Sequence, residues 1–408
     1  MNVEVLLSEI VHSRGGLIRT LTRVHSPFLS PLTYSYVALI SPLDGSSEEI
    51  AGSGFSLMKG NSQMSAVGEA IERYSATIYV ESQLIRSTYE ELTVQGVDPT
   101  VFCRYHEEQY LQLSEVRSVD HQTPIYWTKG KRVRTGEEAW LPFETVYLKI
   151  PAIKPFRDVI STGLACGSSL EQALTSGLLE CIERDAFMLF WTLGMVRAQV
   201  NVTSIDDSYL LQLLKVAREA NVELSVYDIS QPEFPVTTIL TVLKFKGRRG
   251  FYLGCAAHLN SPTAIRKSME EAISGGTAFF ERIYQHGMNV PDHYQEIRTL
   301  EDHTAYYLSG ALDEILCELI PEQLDCYIPD QCTTFEEVVD VLERQGHPVY
   351  SAELTTADVK ELGMNVIRIV TPTLVFLPVG PTMLQCERLQ EKCEKASRPM
   401  NLLPHPFP

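Results

Sequence analysis

The chain has nine cysteines in 408 residues but no Cys-x-x-Cys pair; the closest two, Cys326 and Cys332, are separated by five residues. That spacing argues against a zinc site or a disulfide framework, and leaves most thiols as buried small hydrophobes or reduced surface groups. Basic residues are in short supply: 34 Lys and Arg stand against 52 Asp and Glu, a net charge of −18. Nucleic acid and anionic membrane surfaces are therefore repelled, and neither is expected as a partner. Long apolar runs are also missing. The stretch from Val366 to Gly380 is broken by Arg368, Pro372 and Pro378, is too short to span a bilayer, and reads as buried strand. The N-terminal MNVEVLLSEIVHSRGG has no basic lead, sustained apolar core or small-residue cleavage site, so a cytoplasmic location is expected. No G-x-x-x-x-G-K-[ST] run occurs, so any nucleotide site is not a P-loop.

What is present suits a packed protein: 44% hydrophobic and 21% charged residues. Strand patterns occur at Tyr34 to Ile40, Glu223 to Tyr227, Val236 to Leu243, Gly250 to Cys255, Pro348 to Glu353 and Asn365 to Val370. A hairpin is expected between Pro124 and Pro142, with Trp127 on it. Helical patterns cover Tyr209 to Arg218, about Thr263 to Tyr284, and Phe335 to Gln345. Residues 85–125 read as short helices and loops, with Ser87 or Thr88 placed to cap a helix. Strands and helices mix without a βαβ period, so the fold class is α+β.

Comparing the chain with itself gives the strongest signal. Ser65-Ala-Val-Gly-Glu69-Ala-Ile-Glu72-Arg73 and Ser176-Gly-Leu-Leu-Glu180-Cys-Ile-Glu183-Arg184 share one polar spacing, 111 positions apart, and each follows a Gly-rich approach. At about 100° per residue, positions i, i+4, i+7 and i+8 form a narrow polar stripe. Ala66, Val67, Ala70, Ile71 and Tyr74, and on the second helix Leu178, Cys181 and Ile182, take the opposite face. One such stripe is usually a solvated surface. Two matching ones point to a cavity with four carboxylates, two hydroxyls and two guanidiniums. Four carboxylates repel unless cations neutralise them. Mg²⁺ bridging to phosphate does so, with the arginines as forked donors to phosphate oxygens.

Several motifs together resemble the YcaO family, and within it the ATP-dependent azoline-forming cyclodehydratases. They are Gly52-Ser-Gly-Phe-Ser, Ala66-Val-Gly-Glu-Ala-Ile-Glu-Arg-Tyr, Gly163-Leu-Ala-Cys-Gly-Ser-Ser-Leu-Glu-Gln-Ala, Leu179-Glu-Cys-Ile-Glu-Arg-Asp-Ala and Pro404-His-Pro-Phe-Pro408. The resemblance implies a composite α+β YcaO-type domain over residues 1–395 and a Pro-rich tail, 396–408, reaching the active site. It implies Mg²⁺ at Glu69, Glu72, Glu180 and Glu183, and ATP contacts from Ser65, Glu69, Arg73, Ser168, Gln172, Arg184 and Glu271. Relatives often carry Gln and Arg where Ser274 and Gly276 stand, and Asn and Glu where Ser168 and Gln172 stand. Glu281-Arg282 reads as an exposed pair or as a decayed third stripe.

The terminal Pro-x-Pro-x-Pro is similar to that of the cyclodehydratase branch, which makes the Pro408 carboxylate the expected general base. Stiff residues deliver it with little entropy left to lose; His405 is expected as a spacer, and His258 and Trp127 are candidate pocket residues for which a core position is the better reading. The implied reaction converts Cys, Ser or Thr of a precursor peptide to thiazolines or oxazolines, with ATP phosphorylating the amide oxygen. The resemblance further implies a separate leader-peptide-binding partner protein. A flavin dehydrogenase and a homodimer are left open, and the alternatives are a thioamide- or amidine-forming YcaO enzyme and a non-catalytic scaffold.

Overall fold

The computed structural model describes residues 3–29, 33–41, 49–151, 153–396 and 398–407. Pro408, the expected base, lies outside the described residues. After helix α1 (Val3–Ile10), three strands, β1 (Thr20–Val24), β2 (Tyr34–Ile40) and β3 (Ile50–Ser56), pair as an antiparallel meander. Tyr36, Ala38 and Ile40 on β2 turn inward at the strand period of two. Helix α2 (Lys59–Ser75) packs on this sheet through Ala66, Val67, Ala70 and Ile71, all fully buried. Gly52 lets β3 approach closely, since a Cβ there would collide with the backbone of Ala66 and Ala70.

The second sheet begins with β4 (Ile85–Ser87), which is followed by a short helix α3 (Glu107–Tyr110) and the hairpin β5 (Ile125–Arg132) and β6 (Glu138–Pro142). Strand β7 (Leu164–Gly167) lies on its other side and runs into α4 (Leu170–Leu193). The third sheet contains β8 (Ala198–Val200), β9 (Val222–Asp228), β10 (Thr237–Phe245), β11 (Tyr252–His258) and β12 (Cys326–Tyr327), in the order β11-β10-β9-β8-β12. Helices α5 (Ser208–Glu219) and α6 (Ser261–Tyr284) cover it, and α7 (Leu300–Leu308) follows. Late strands β13 (Tyr350–Glu353) and β14 (Asn365–Val370) return to complete the second sheet, β4-β5-β13-β14-β7. Among the strands of the described residues only β8 and β12 pair in parallel, which fits α+β rather than a doubly wound sheet.

Three expectations change. Ser87 ends β4 rather than capping a helix, and the Thr88 hydroxyl instead accepts the Glu91 N–H at 3.1 Å in a turn. The apolar run from Val366 is strand only to Val370; beyond it Leu374, Val375, Phe376 and Leu377 are buried without a ladder, between the two prolines that cannot donate to one. Cys103 and Cys386, 283 residues apart, meet as a disulfide pair with a Cα separation of 4.5 Å, a pairing that spacing along the chain could not reveal. Trp127 is core, as expected: it is fully buried and donates to Ser87 O at 3.0 Å. No helix of the described residues is long and apolar enough to cross a membrane.

Candidate functional site

The stripe carboxylates reach backward to the strand that precedes their own helix. Glu69 on α2 accepts both the N–H and the hydroxyl of Ser53 on β3, at 2.6 and 3.0 Å. Glu180 on α4 accepts the N–H of Gly163, just before β7, at 3.0 Å. Glu271 on α6 accepts the N–H of Cys255 on β11 at 2.8 Å. The sequence separations are 16, 17 and 16, so the chain contains three copies of one strand-then-helix unit. Gly254 lets β11 lie close against Ser268 and Ala272 of α6, as Gly52 does for α2.

The second carboxylate of each stripe reaches forward to the next unit. Glu72 accepts the Cys166 N–H on β7 at 2.7 Å, and Glu183 accepts the Ala257 N–H on β11 at 3.1 Å. Each glutamate thus anchors at least one oxygen on backbone while linking strand to helix or unit to unit. The third copy has Lys267 where the others have Ser65 and Ser176, Ser274 for the second glutamate and Gly275 for the arginine. Glu281-Arg282 is not that copy: Arg282 pairs with Glu301 at 2.7 Å and Glu281 faces His286.

The arginines differ. Arg73 is engaged within its own unit, donating to Ala51 O at 2.7 Å and to Glu69 at 2.5 Å. Arg184 holds its carboxylates loosely, at 3.5 Å from Glu180 and 3.6 Å from Glu183, and its buried Nε makes no hydrogen bond. Its guanidinium lies over the ring of Phe407, 4.3 Å from the centroid. The tail therefore arrives at the second stripe.

Burial, followed by Glu180 and Glu69 nearby, holds the Glu72 carboxyl well above its ordinary range against the pull of the Cys166 N–H. Burial likewise raises Glu183 and Glu271, which Arg184 counteracts. Burial opposes the charge on Arg184, yet Glu183, Glu180 and Glu271 together keep its pKa above the usual value. The cluster is thus short of positive charge, the condition a bound cation relieves.

A cavity of about 630 Å³ opens along α4, walled by Gln172, Ser176, Glu180, Glu183, His258 and Lys267 among others. Of the expected ATP contacts Gln172 lies on this wall; its side-chain oxygen accepts the N–H and hydroxyl of Ser168 at 2.9 and 2.8 Å. Ser65, Glu69, Glu72, Arg73, Arg184 and Glu271 are not among the described residues lining it. Glu72 instead joins the cluster through its proximity to Glu180, and Glu69 through Glu271. His258 was expected in the core but lines the cavity, its Nδ1 accepting the Asn260 N–H at 3.1 Å. Lys267 was not anticipated; only its register with Ser65 and Ser176, visible once Glu271 is aligned, marks it. His405 is buried, its Nε2 donating to Pro378 O at 2.7 Å and its Nδ1 accepting the Phe407 N–H at 3.2 Å.

No three His, Cys, Asp or Glu side chains among the described residues converge closely enough to hold a metal alone. Mg²⁺ ordinarily keeps several waters and completes its shell with phosphate oxygens, so one or two carboxylates per ion suffice. The carboxylates, with Arg184 holding two of them only at 3.5 and 3.6 Å, fit a magnesium-bound triphosphate. Because these carboxyls are held up, Mg-nucleotide binding should release protons near neutral pH and tighten as pH rises. Calorimetry in buffers of different ionisation enthalpy reads the proton count; equal apparent enthalpies in all buffers would contradict this.

Comparisons with known proteins bear on the family and the fold. A family model described as YcaO cyclodehydratase, ATP- and Mg²⁺-binding, matches residues 53–375. An uncharacterized protein of Methanothermobacter thermautotrophicus is 23% identical over 366 residues, 83% of this chain and 84% of that protein. A solved heterocyclase in complex with substrate and cofactor aligns with a TM-score of 0.79 at 22% identity, over 100% of this chain and 57% of its own. The chain thus spans little more than half of that protein. YcaO from Methanopyrus kandleri, bound with AMPPCP and Mg²⁺, gives 0.61 at 17% identity, covering 88% and 86% of the two chains. A chain of the E. coli microcin synthetase McbBCD complex with pro-MccB17 gives 0.65 at 15%, covering 89% and 90%. At these identities the solved structures speak for the fold.

Proposed function

The chain belongs to the YcaO family, and from that premise we propose that it is an ATP-dependent cyclodehydratase acting on a ribosomal precursor peptide. The family is ATP- and Mg²⁺-binding. In this reading Glu69, Glu72, Glu180 and Glu183 serve Mg²⁺, and Ser65, Glu69, Arg73, Ser168, Gln172, Arg184 and Glu271 serve ATP. Bound Mg²⁺ supplies charge neutralisation for phosphate and carboxylates. Arg184, whose contacts to Glu180 and Glu183 are long at 3.5 and 3.6 Å, offers its guanidinium to a phosphate oxygen.

The substrate peptide's Cys thiol, or Ser or Thr hydroxyl, adds to the preceding carbonyl. The oxyanion of the closed ring takes the γ-phosphoryl group of ATP, releasing ADP, and phosphate then leaves as the former amide nitrogen loses its proton, forming the C=N bond of the thiazoline or oxazoline. Amide oxygen is a poor leaving group and phosphate a good one, so the protein's share is positioning and electrostatics. Pro408 is retained as the base that removes the nucleophile's proton. A leader-binding partner protein delivers the peptide. Residues 1–395 form the catalytic domain in this scheme, and 396–408 its tail.

The observation that carries the ring-forming reading is the contact between Phe407 and Arg184, because it brings the Pro-rich segment to the acidic stripes. The test is mass spectrometry of a precursor with a Cys/Ser/Thr-rich core after incubation with Mg-ATP, with and without the leader-binding partner. Loss of one water per modified residue, matched by ADP and phosphate, is the expected result. A mass gain from sulfur replacing oxygen would move the enzyme to thioamide formation, and neither change despite ATP turnover would sink the peptide reading.

A further inference from the structure

Proline has no N–H, so a Pro-x-Pro-x segment is held in register mainly through its carbonyls and rings. The tail is held in this way. Four consecutive carbonyls each face a side-chain hydroxyl or ring nitrogen. Trp191 Nε1 donates to Leu403 O at 2.9 Å, and Tyr307 Oη donates to Pro404 O at 2.6 Å. His303 Nδ1 faces His405 O, and Thr304 Oγ1 reaches Pro406 O at 3.4 Å. Three of the donors stand at i, i+1 and i+4 of α7. The tail's rings are seated too: Phe407 is fully buried with its centroid 4.6 Å from that of Phe187, and His405 stacks on His303 at 4.4 Å. Opposite α7, Pro378 O accepts from His405 at 2.7 Å, and Val379 O lies 2.8 Å from His303 Nε2; the single N–H of a neutral imidazole serves either this carbonyl or that of His405.

We infer that α7, Trp191 and the 378–379 segment form a binding groove for a proline-interrupted extended peptide, whose resident ligand is this chain's own tail. Aromatic-lined grooves whose donors read carbonyls are a general way of binding polyproline II segments. The groove, more than the stiffness of the prolines, sets where the tail meets Arg184. Tyr307, Thr304 and His303 are therefore positioning residues. The docking stands on contacts alone, and only its catalytic consequence rests on the proposed reaction.

The test uses the full chain carrying Tyr307→Phe and Thr304→Val, changes that remove one hydroxyl each and keep the shape of the side chain. Hydrogen exchange at the Phe407 amide should accelerate about tenfold, as expected for two hydroxyl bonds lost, while the core of α4 is unchanged. Mg-ATP affinity should stay within about twofold, and ring formation should fall with it unchanged. In the full chain carrying Phe407→Ala, a fluorescein-labelled peptide of residues 399–408 should bind saturably. That binding should weaken about tenfold when the two α7 changes are added. Unaltered Phe407 exchange, or a labelled peptide that binds no better than a scrambled one, would overturn the groove. Exchange and peptide binding behaving as expected in a protein that forms no rings would leave the groove standing and remove the proposed reaction instead.

Discussion

Glu72→Gln together with Glu183→Gln should cut ring formation by about 100-fold or more, the scale on which preorganised electrostatic groups act, and should also make the nucleotide-free protein more heat-stable. An amide oxygen can still accept from Cys166 and Ala257, whose N–H groups lie 2.7 and 3.1 Å from the glutamates, so the helices keep their places. What disappears is charge. Both carboxyls are raised by burial in the folded state, so ionising them disfavours the fold, and Gln removes that cost. The gain should be small near the ordinary carboxyl pKa, where the folded groups are protonated. It should grow as pH rises toward their raised values and then level off. Thermal melts across pH and an azoline assay measure the two effects, and unimpaired turnover in the double variant would remove the catalytic role assigned to the stripes.

Asp185→Ala should destabilise the protein by about 3–5 kcal/mol, the usual cost of leaving one member of a buried pair alone. Asp185, which follows the second stripe directly, is fully buried. It accepts from Arg388 Nε and Nη2 at 2.7 and 2.8 Å and from the Val375 N–H at 2.8 Å. Arg388 also meets Glu233 at 2.9 Å, and Lys392 shares that carboxylate at 2.5 Å. The network ties α4 to the helix Glu387–Ala396 that leads into the tail. Denaturant unfolding of the Asp185→Ala and Arg388→Met single variants and their combination checks it. The double change should cost less than the sum, and strict additivity would show that the two residues do not act as a pair.

The two stripes were legible because a helix writes its face into local spacing, and because Gly52 and Gly163 stand where strands approach. Their apolar faces were legible for the same reason: Ala66 to Tyr74 and Leu178 to Ile182 are buried as the period of 3.6 demands. The third unit was not. At the stripe positions only Glu271 is acidic in it, and the feature that defines it, a carboxylate meeting the N–H of Cys255, involves a backbone group present at almost every position. The tail groove escaped for a similar reason, since carbonyls carry no sequence signature and its donors lie about 100 residues or more upstream. His258 was misplaced because a histidine ending an apolar strand looks the same whether the next shell is protein or cavity.

Anchoring the glutamates on peptide N–H groups has a consequence for how the sequence can drift. A side-chain partner is lost by one substitution, whereas the N–H of Gly163, Cys166, Cys255 or Ala257 persists through any replacement but proline. The strands are free to exchange side chains while each carboxylate keeps its aim. Saturation mutagenesis at Cys166 should therefore find a broad range of tolerated residues with proline as the sharp exception, so that a catalytic centre of fixed geometry can sit in a framework whose lettering wanders.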